Sequence, residues 1–349
     1  MAPPATVGIL ANPMSGRDVR RLFARASTTT PEIKRDQVAR AVIGAAAGGA
    51  VRILVVKEPF RISTAAVENL EIHARIEVLD VGSELRAIDS VRAVVAMRAQ
   101  GAAALVVLGG DGTQRAGARA GPGAPLVPLS TGTNNVFPVQ VEATAAGIAA
   151  GLVASGRIDA GEVTATAKCI RVEIEGEAPD LALVDAALLV DDAVGNLMPF
   201  EPSRLRRLVL ARAEPTAVGM SPIGGLLAPC GARDDFGVDV TCAPPGGGAR
   251  ELLAPISPGL FRRVHVAGVR RLDLGEPVEV KGPGVLAFDG DRERQLAAGQ
   301  RATLAVVREG PRVIDVGAAL AAAARAGVFV DVPHWHDGLD GARAGTCCE

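Results

Sequence analysis

Between residues 5 and 129, short aliphatic runs alternate with longer helix-compatible stretches, and this alternation restricts the fold more than any other feature of the chain. The runs fall at 5–11, 51–56, 76–81, 104–108 and 126–129. Leu105-Val106-Val107-Leu108 has no polar face, as a parallel strand buried on both sides requires. Residues 31–48 open on Pro31, which suits a first helical turn, and 84–100 follow Ser83, an expected N-cap. Strands and helices in this order predict a doubly wound, Rossmann-like α/β domain.

A further Ala-rich helix is expected at 143–155, after which the rhythm changes to short apolar runs separated by Gly, Pro and acidic turns. Strands are expected at 169–175, 181–190, 207–213, 238–242, 262–266, 278–280, 285–288 and 302–307, which predicts an all-β sandwich. Residues 243–250, with Pro244-Pro245 and Gly246-Gly247-Gly248, read as a loop, and 317–326 as a last helix. The expected division is an α/β domain at 1–137, a mostly β domain at 138–315 that starts with a connecting helix, and a helix and tail at 316–349.

Composition narrows the function. A net charge of −2, with arginines scattered in pairs, argues against a nucleic-acid partner. There is no Tyr and one Trp, so base-stacking platforms are missing as well. No apolar run approaches the roughly 20 residues that a membrane-spanning helix needs. The five cysteines form no zinc-like pair, and residues 1–10 lack a basic leader, so a reduced, cytoplasmic setting is expected. Small-molecule chemistry is the class that remains.

The most specific motif is Gly109-Gly110-Asp111-Gly112-Thr113, placed between the apolar run 104–108 and a stretch able to start a helix. Glycines at the carboxyl end of a parallel strand let backbone N–H groups approach phosphate oxygens, and the following helix adds its positive end. Asp111 would repel a phosphate unless Mg²⁺ or a substrate hydroxyl lies between them. Gly-Asp-Gly alone is an ordinary tight turn; the pentapeptide at a strand end is much rarer. It is neither a Walker A loop, which ends in Lys-Ser or Lys-Thr, nor a dinucleotide fingerprint, since Arg115 stands where the third glycine belongs.

Two other polar loops follow strand-like runs: Asn12-Pro13-Met14-Ser15-Gly16, and Ser130-Thr131-Gly132-Thr133-Asn134-Asn135. Each alone reads as Asx and Ser/Thr turns; together with the Asp111 loop they predict one shared nucleotide crevice. In the second half, Asp289-Gly290-Asp291 follows an apolar run. Asp-Gly favours a hairpin, and the two carboxylates could also hold Mg²⁺ or accept a proton from a hydroxyl. His334-Trp335-His336-Asp337 sits in the tail and reads as a weak metal candidate.

The order Asn-Pro-x-Ser-Gly, Gly-Gly-Asp-Gly-Thr, Thr-Gly-Thr-Asn-Asn, then Asp-Gly-Asp resembles the superfamily of NAD kinases, diacylglycerol kinases and sphingosine kinases. The wording of the first and third loops looks most like the ATP-NAD kinase branch of the acetoin-catabolism protein X type. The resemblance implies nucleotide contacts from Asn12, Ser15, Gly16, Gly109, Gly110, Gly112, Thr113, Thr131, Gly132, Thr133, Asn134 and Asn135. It implies a catalytic Asp111, completed by Asp289 and Asp291, with ATP and Mg²⁺ as cofactors and NAD as the first candidate acceptor. A lipid acceptor, or a nucleotide-binding accessory protein without turnover, are the other readings, and a homodimer is a further expectation of the resemblance. Two departures stand out. Asp291 falls where lipid-kinase relatives carry the glutamate of Asp-Gly-Glu. Residues 219–225, Gly-Met-Ser-Pro-Ile-Gly-Gly, replace the hydroxyl-rich Thr-Pro-Thr-Gly-Ser-Thr stretch of NAD kinases, which weakens the case for NAD.

Overall fold

The structure, a computed structural model, describes residues 4–15, 29–131, 135–195, 200–247 and 250–330. Its first half builds a parallel sheet from β1 (Thr6–Ala11), β2 (Arg52–Val56), β3 (Arg75–Leu79), β4 (Ala104–Gly109) and β5 (Leu126–Ser130). The order is β3-β2-β1-β4-β5, so the chain reverses direction across the sheet between β1 and β4. At such a switch point the following loops diverge and leave a crevice. The Asn12 and Gly109–Thr113 loops leave the two strands that flank it.

Helices α1 (Pro31–Ala47), α2 (Ile62–Val67), α3 (Ala87–Ala99), α4 (Asp111–Ala118) and α5 (Ala143–Ser155) cover this sheet. The Ala/Gly-rich segments have a packing role, since α1 and α5 cross backbone to backbone. A Cβ on Gly44 would lie 2.1 Å from the Thr144 carbonyl oxygen, and one on Gly147 would lie 2.1 Å from that of Ala41. Helix α3 begins at Ala87, later than expected, and Arg86 holds the N-cap position foreseen for Ser83. Asp89 closes the turn by accepting from the Glu84 amide (2.9 Å) and from the Ser83 hydroxyl (3.0 Å).

The second half contains α6 (Ala160–Val163), β6 (Thr164–Thr166), β7 (Cys169–Ile174), β8 (Asp180–Ala182), β9 (Asp185–Leu189), β10 (Leu205–Leu210), α7 (Ser221–Gly225) and β11 (Phe236–Cys242). It continues with β12 (Arg250–Ser257), β13 (Leu260–Asp273), β14 (Pro277–Lys281), β15 (Gly284–Phe288), β16 (Asp291–Leu296), β17 (Arg301–Val307), β18 (Arg312–Ile314) and α8 (Val316–Arg325). A seven-stranded sheet, β12-β13-β11-β10-β9-β15-β16, faces a four-stranded sheet, β14-β17-β7-β8. Ile170, Val172, Leu188, Val209, Leu286, Phe288, Leu304 and Val306 fill the space between them, so the expected sandwich is present.

Several strands of the sandwich depart from the sequence reading. The run 181–190 is two strands, because the chain steps from the four-stranded sheet into the seven-stranded one at Leu183-Val184. Strand β12, not expected from the sequence, is interrupted by Pro255, which is tolerated at the sheet edge where β12 lies. β16, Asp-Arg-Glu-Arg-Gln-Leu, has the charge of an edge strand that discourages pairing with other chains. The division expected at residue 137 also differs from the packing: β18 and β6 extend the first sheet, and α5 and α8 join the core that covers it.

Candidate active site

A cavity of about 630 Å³ lies between the two halves. Its walls include Asn12, Ser15, Gly110, Asp111, Gly112, Thr113 and Asn135 from the first half, and Asp185, Asp289 and Asp291 from the second. The three loops singled out in the sequence therefore meet the Asp-Gly-Asp turn. Gly16, Gly132, Thr133 and Asn134 lie outside the described residues, as do His334, Trp335, His336 and Asp337.

Side-chain hydrogen bonds bind the loops to one another. Asn12 donates through Nδ2 to Thr113 Oγ1 (2.8 Å) and accepts the Met14 amide at Oδ1 (2.9 Å), forming an Asx turn. The Ser15 and Thr131 hydroxyls lie 2.9 Å apart, and Asn135 donates to the Ser130 hydroxyl at 2.8 Å. Beneath the first loop, the buried Lys34 ammonium donates to the carbonyls of Asn12 (2.9 Å), Pro13 (2.8 Å) and Ser15 (2.5 Å). The glycines of the central loop sit close to side chains, most tightly at Gly109. A Cβ would meet the Thr113 side chain at Gly109, Asn135 Oδ1 at Gly110, and Asp291 Oδ2 at Gly112.

Asp111 opens α4 and accepts the amides of Phe137 (2.8 Å) and Val136 (3.1 Å). Desolvation in the cleft, then the charge of Asp289, push its carboxyl up to about 7 against the pull of those amides and of Arg212. Asp289 and Gly290 both have positive φ, 50° and 84°, and form the two-residue turn between β15 and β16. The expected hairpin is therefore present, and its turn lies on the cavity wall. The Asp289 carboxylate gathers the amides of Leu183, Val184 and Asp185 at the step between the sandwich's sheets, at 2.7–3.3 Å. Burial raises its pKa as well, opposed chiefly by Arg115.

Asp185 was not foreseen. It is 6% exposed and lines the cavity, and its Oδ1 has no hydrogen-bond partner. Burial, followed by Asp289 and Asp111, raises its pKa well above the usual carboxylate range. A lone acid inside the apolar run 181–190 was the available signal, since an acid in an apolar strand is costly without a use.

Among the described residues, no three His, Cys, Asp or Glu side chains are arranged to hold a metal ion. An all-protein metal cage is thus a poor fit, whereas Mg²⁺ carried by phosphates needs only one or two carboxylates. Asp291, beside Gly112, is placed for that; Asp289 has its oxygens turned to the backbone. At 219–225, Ser221 is the only hydroxyl, and it is spent internally: it accepts the Glu214 amide (2.9 Å) and donates to the Arg212 carbonyl (2.8 Å). Val218 and Met220 join Phe200, Ile256 and Pro258 as an apolar part of the cavity wall.

A switch-point Gly-Gly-Asp-Gly-Thr loop facing a β-sandwich is the arrangement of an NAD kinase-like protein. Residues 7–158 match the ATP-NAD kinase N-terminal domain, and residues 168–309 match the acetoin catabolism protein X C-terminal domain. The chain is 35% identical to acetoin catabolism protein X of Cupriavidus necator over 339 residues, 94% of each protein. It belongs to the acetoin catabolism protein X family. Among solved structures, it is similar to yeast NADH kinase complexed with NADH, at 14% identity and a TM-score of 0.49, covering 95% of this chain and 89% of that one. It is also similar to a candidate diacylglycerol kinase from Bacillus anthracis, at 12% identity and a TM-score of 0.46, covering 89% and 97%. Among the described residues, no helix is long and apolar enough to cross a membrane.

Proposed function

We propose that the protein is an ATP-dependent kinase that transfers a phosphoryl group to a hydroxyl of a small molecule, with NAD the first acceptor to test. The observation that carries this reading is the meeting of the Gly109–Thr113 loop with Asp185, Asp289 and Asp291 around one cavity. Amides at the start of α4 would cradle the nucleotide phosphates. Mg²⁺, when bound beside Asp291, would neutralise phosphate charge. Asp111, titrating near neutrality, would accept the acceptor hydroxyl's proton. Asp185 offers its unpaired oxygen to hold that hydroxyl. Phosphoryl transfer asks mainly for positioning and charge stabilisation, which this arrangement supplies.

The apolar wall at Phe200, Val218, Met220, Ile256 and Pro258 favours a second acceptor class, a hydroxyl compound with an apolar body such as a diacylglycerol. Purified protein incubated with Mg²⁺, ATP and either NAD or micellar diacylglycerol, with products read by mass spectrometry, separates the two. NADP formed by the parent and lost in Asp111→Asn supports the first reading. A phosphorylated lipid supports the second. Nucleotide binding without any phosphorylated product would move the protein to a sensing or accessory role.

A further inference from the structure

Arg212 follows β10 and is 9% exposed. Its guanidinium lies over the Phe137 ring, 4.4 Å from the centroid, and Nη1 donates to the carbonyls of Val136 (3.1 Å) and Phe137 (3.2 Å). No carboxylate forms a salt bridge with it among the described residues, and its Nε is buried without a partner. Burying a cation with an unfilled donor is costly, and a neutral side chain would pack on the ring without that cost. The charge therefore calls for a use.

The Val136 carbonyl and the Phe137 N–H belong to one peptide unit. Arg212 donates to the oxygen of that unit, and its N–H donates to Asp111 Oδ1 at 2.8 Å. A cation at one end and a carboxylate at the other polarise the peptide in the same sense, and each hydrogen bond strengthens the other. Other charges near this part of the cleft are Glu214, which acts on Arg212 with Asp111 and Asp289, Asp185 and Asp289, which repel Asp111, Asp291 beside Gly112, and Arg115, directed to Asp180 and Glu293. Ser221 pins the backbone of Arg212, which gives the residues at 219–225 a task other than ligand contact.

We infer that Arg212 is a positioning residue that, through the single peptide 136–137, orients the Asp111 carboxylate and backs its charge from the opposite domain. The inference rests on the reading of Asp111 as the group that meets the acceptor. It is read without turnover from the Phe137 amide resonance, in protein labelled with ¹⁵N-phenylalanine and assigned through Phe137→Leu. In Arg212→Met the amide proton should move upfield and exchange faster, toward its position in Asp111→Asn, while Arg212→Lys keeps an intermediate position. Nucleotide affinity should hold while turnover falls on the order of 10- to 100-fold, as losses of such outer partners do. An unmoved Phe137 amide in folded Arg212→Met overturns the inference. Should that variant fail to fold, the same unmoved resonance in Arg212→Lys and Arg212→Gln overturns it. Full turnover in Asp111→Asn would instead sink the kinase role of Asp111 and leave the amide readout standing.

Discussion

Arg115 lies over the Phe288 ring, 4.8 Å from its centroid, and so ties the helix that begins at Asp111 to the hairpin that carries Asp289 and Asp291. Its guanidinium pairs with Asp180 (3.1 Å) and with Glu293, and Arg119, one turn on, reaches the same two acids. With Arg115 at 3% exposure, water screens the cluster poorly. Such a clasp links the Gly109–Thr113 loop to the Asp-Gly-Asp turn.

Arg115→Met should therefore be strongly destabilising, because it removes the most buried cation of the cluster and leaves Asp180 to Arg119 and Arg294, and Glu293 to Arg119. Removing one partner of a buried pair costs about 3–5 kcal/mol. Urea unfolding would measure it, and a loss near that of an exposed pair, such as Lys57–Asp80, would mean that the clasp is ornamental.

Stability should fall as pH rises. The folded value of Asp111, about 7, lies above its ordinary 3.8. Between those values the folded protein keeps a proton that the unfolded chain has released, so stability declines across that window and stays reduced above it. Asp111→Asn, which retains an oxygen for the Phe137 amide, should match the parent at pH 4 and exceed it at pH 8 by about 4 kcal/mol at most. Melting curves across this range test it; a variant less stable than the parent at pH 8 contradicts it.

Turnover should move the other way. A base must be ionised to accept a proton, so the rate should climb through about pH 7 and level off above it. A pH-rate profile that is flat from about pH 5 to 9 would remove Asp111 from the proton transfer.

How legible was this site? Loops built from glycine and small polar side chains left motifs, most firmly at Gly109, where a Cβ would meet the Thr113 side chain at 2.4 Å. The sheet was legible for a similar reason, since buried parallel strands cannot hide polar residues. Arg115, Arg212 and Lys34 carried no local sign. Each acts on partners 19 or more residues away, and charge alone does not separate a clasp from a solvated surface residue. β6 and β18, three residues each, are too short for alternation to register.

The crossing of α1 and α5 should reach the Asn12–Ser15 loop. Gly147→Ala places a methyl 2.1 Å from the Ala41 oxygen, so the helices must part, at about 1–3 kcal/mol for such overpacking. Helix α1 also carries Lys34, whose ammonium holds the carbonyls of Asn12, Pro13 and Ser15. Moving α1 therefore slackens that loop, and Gly147→Ala should weaken nucleotide binding as well as stability. Lys34→Met should weaken binding by cutting the same link directly. Gly268→Ala on β13, where a Cβ meets nothing within 4 Å, should change neither. Calorimetric titration of the three variants with ATP decides it: if Gly147→Ala binds as the parent does while melting lower, the helix crossing serves stability alone and Lys34 does not transmit its position to the loop.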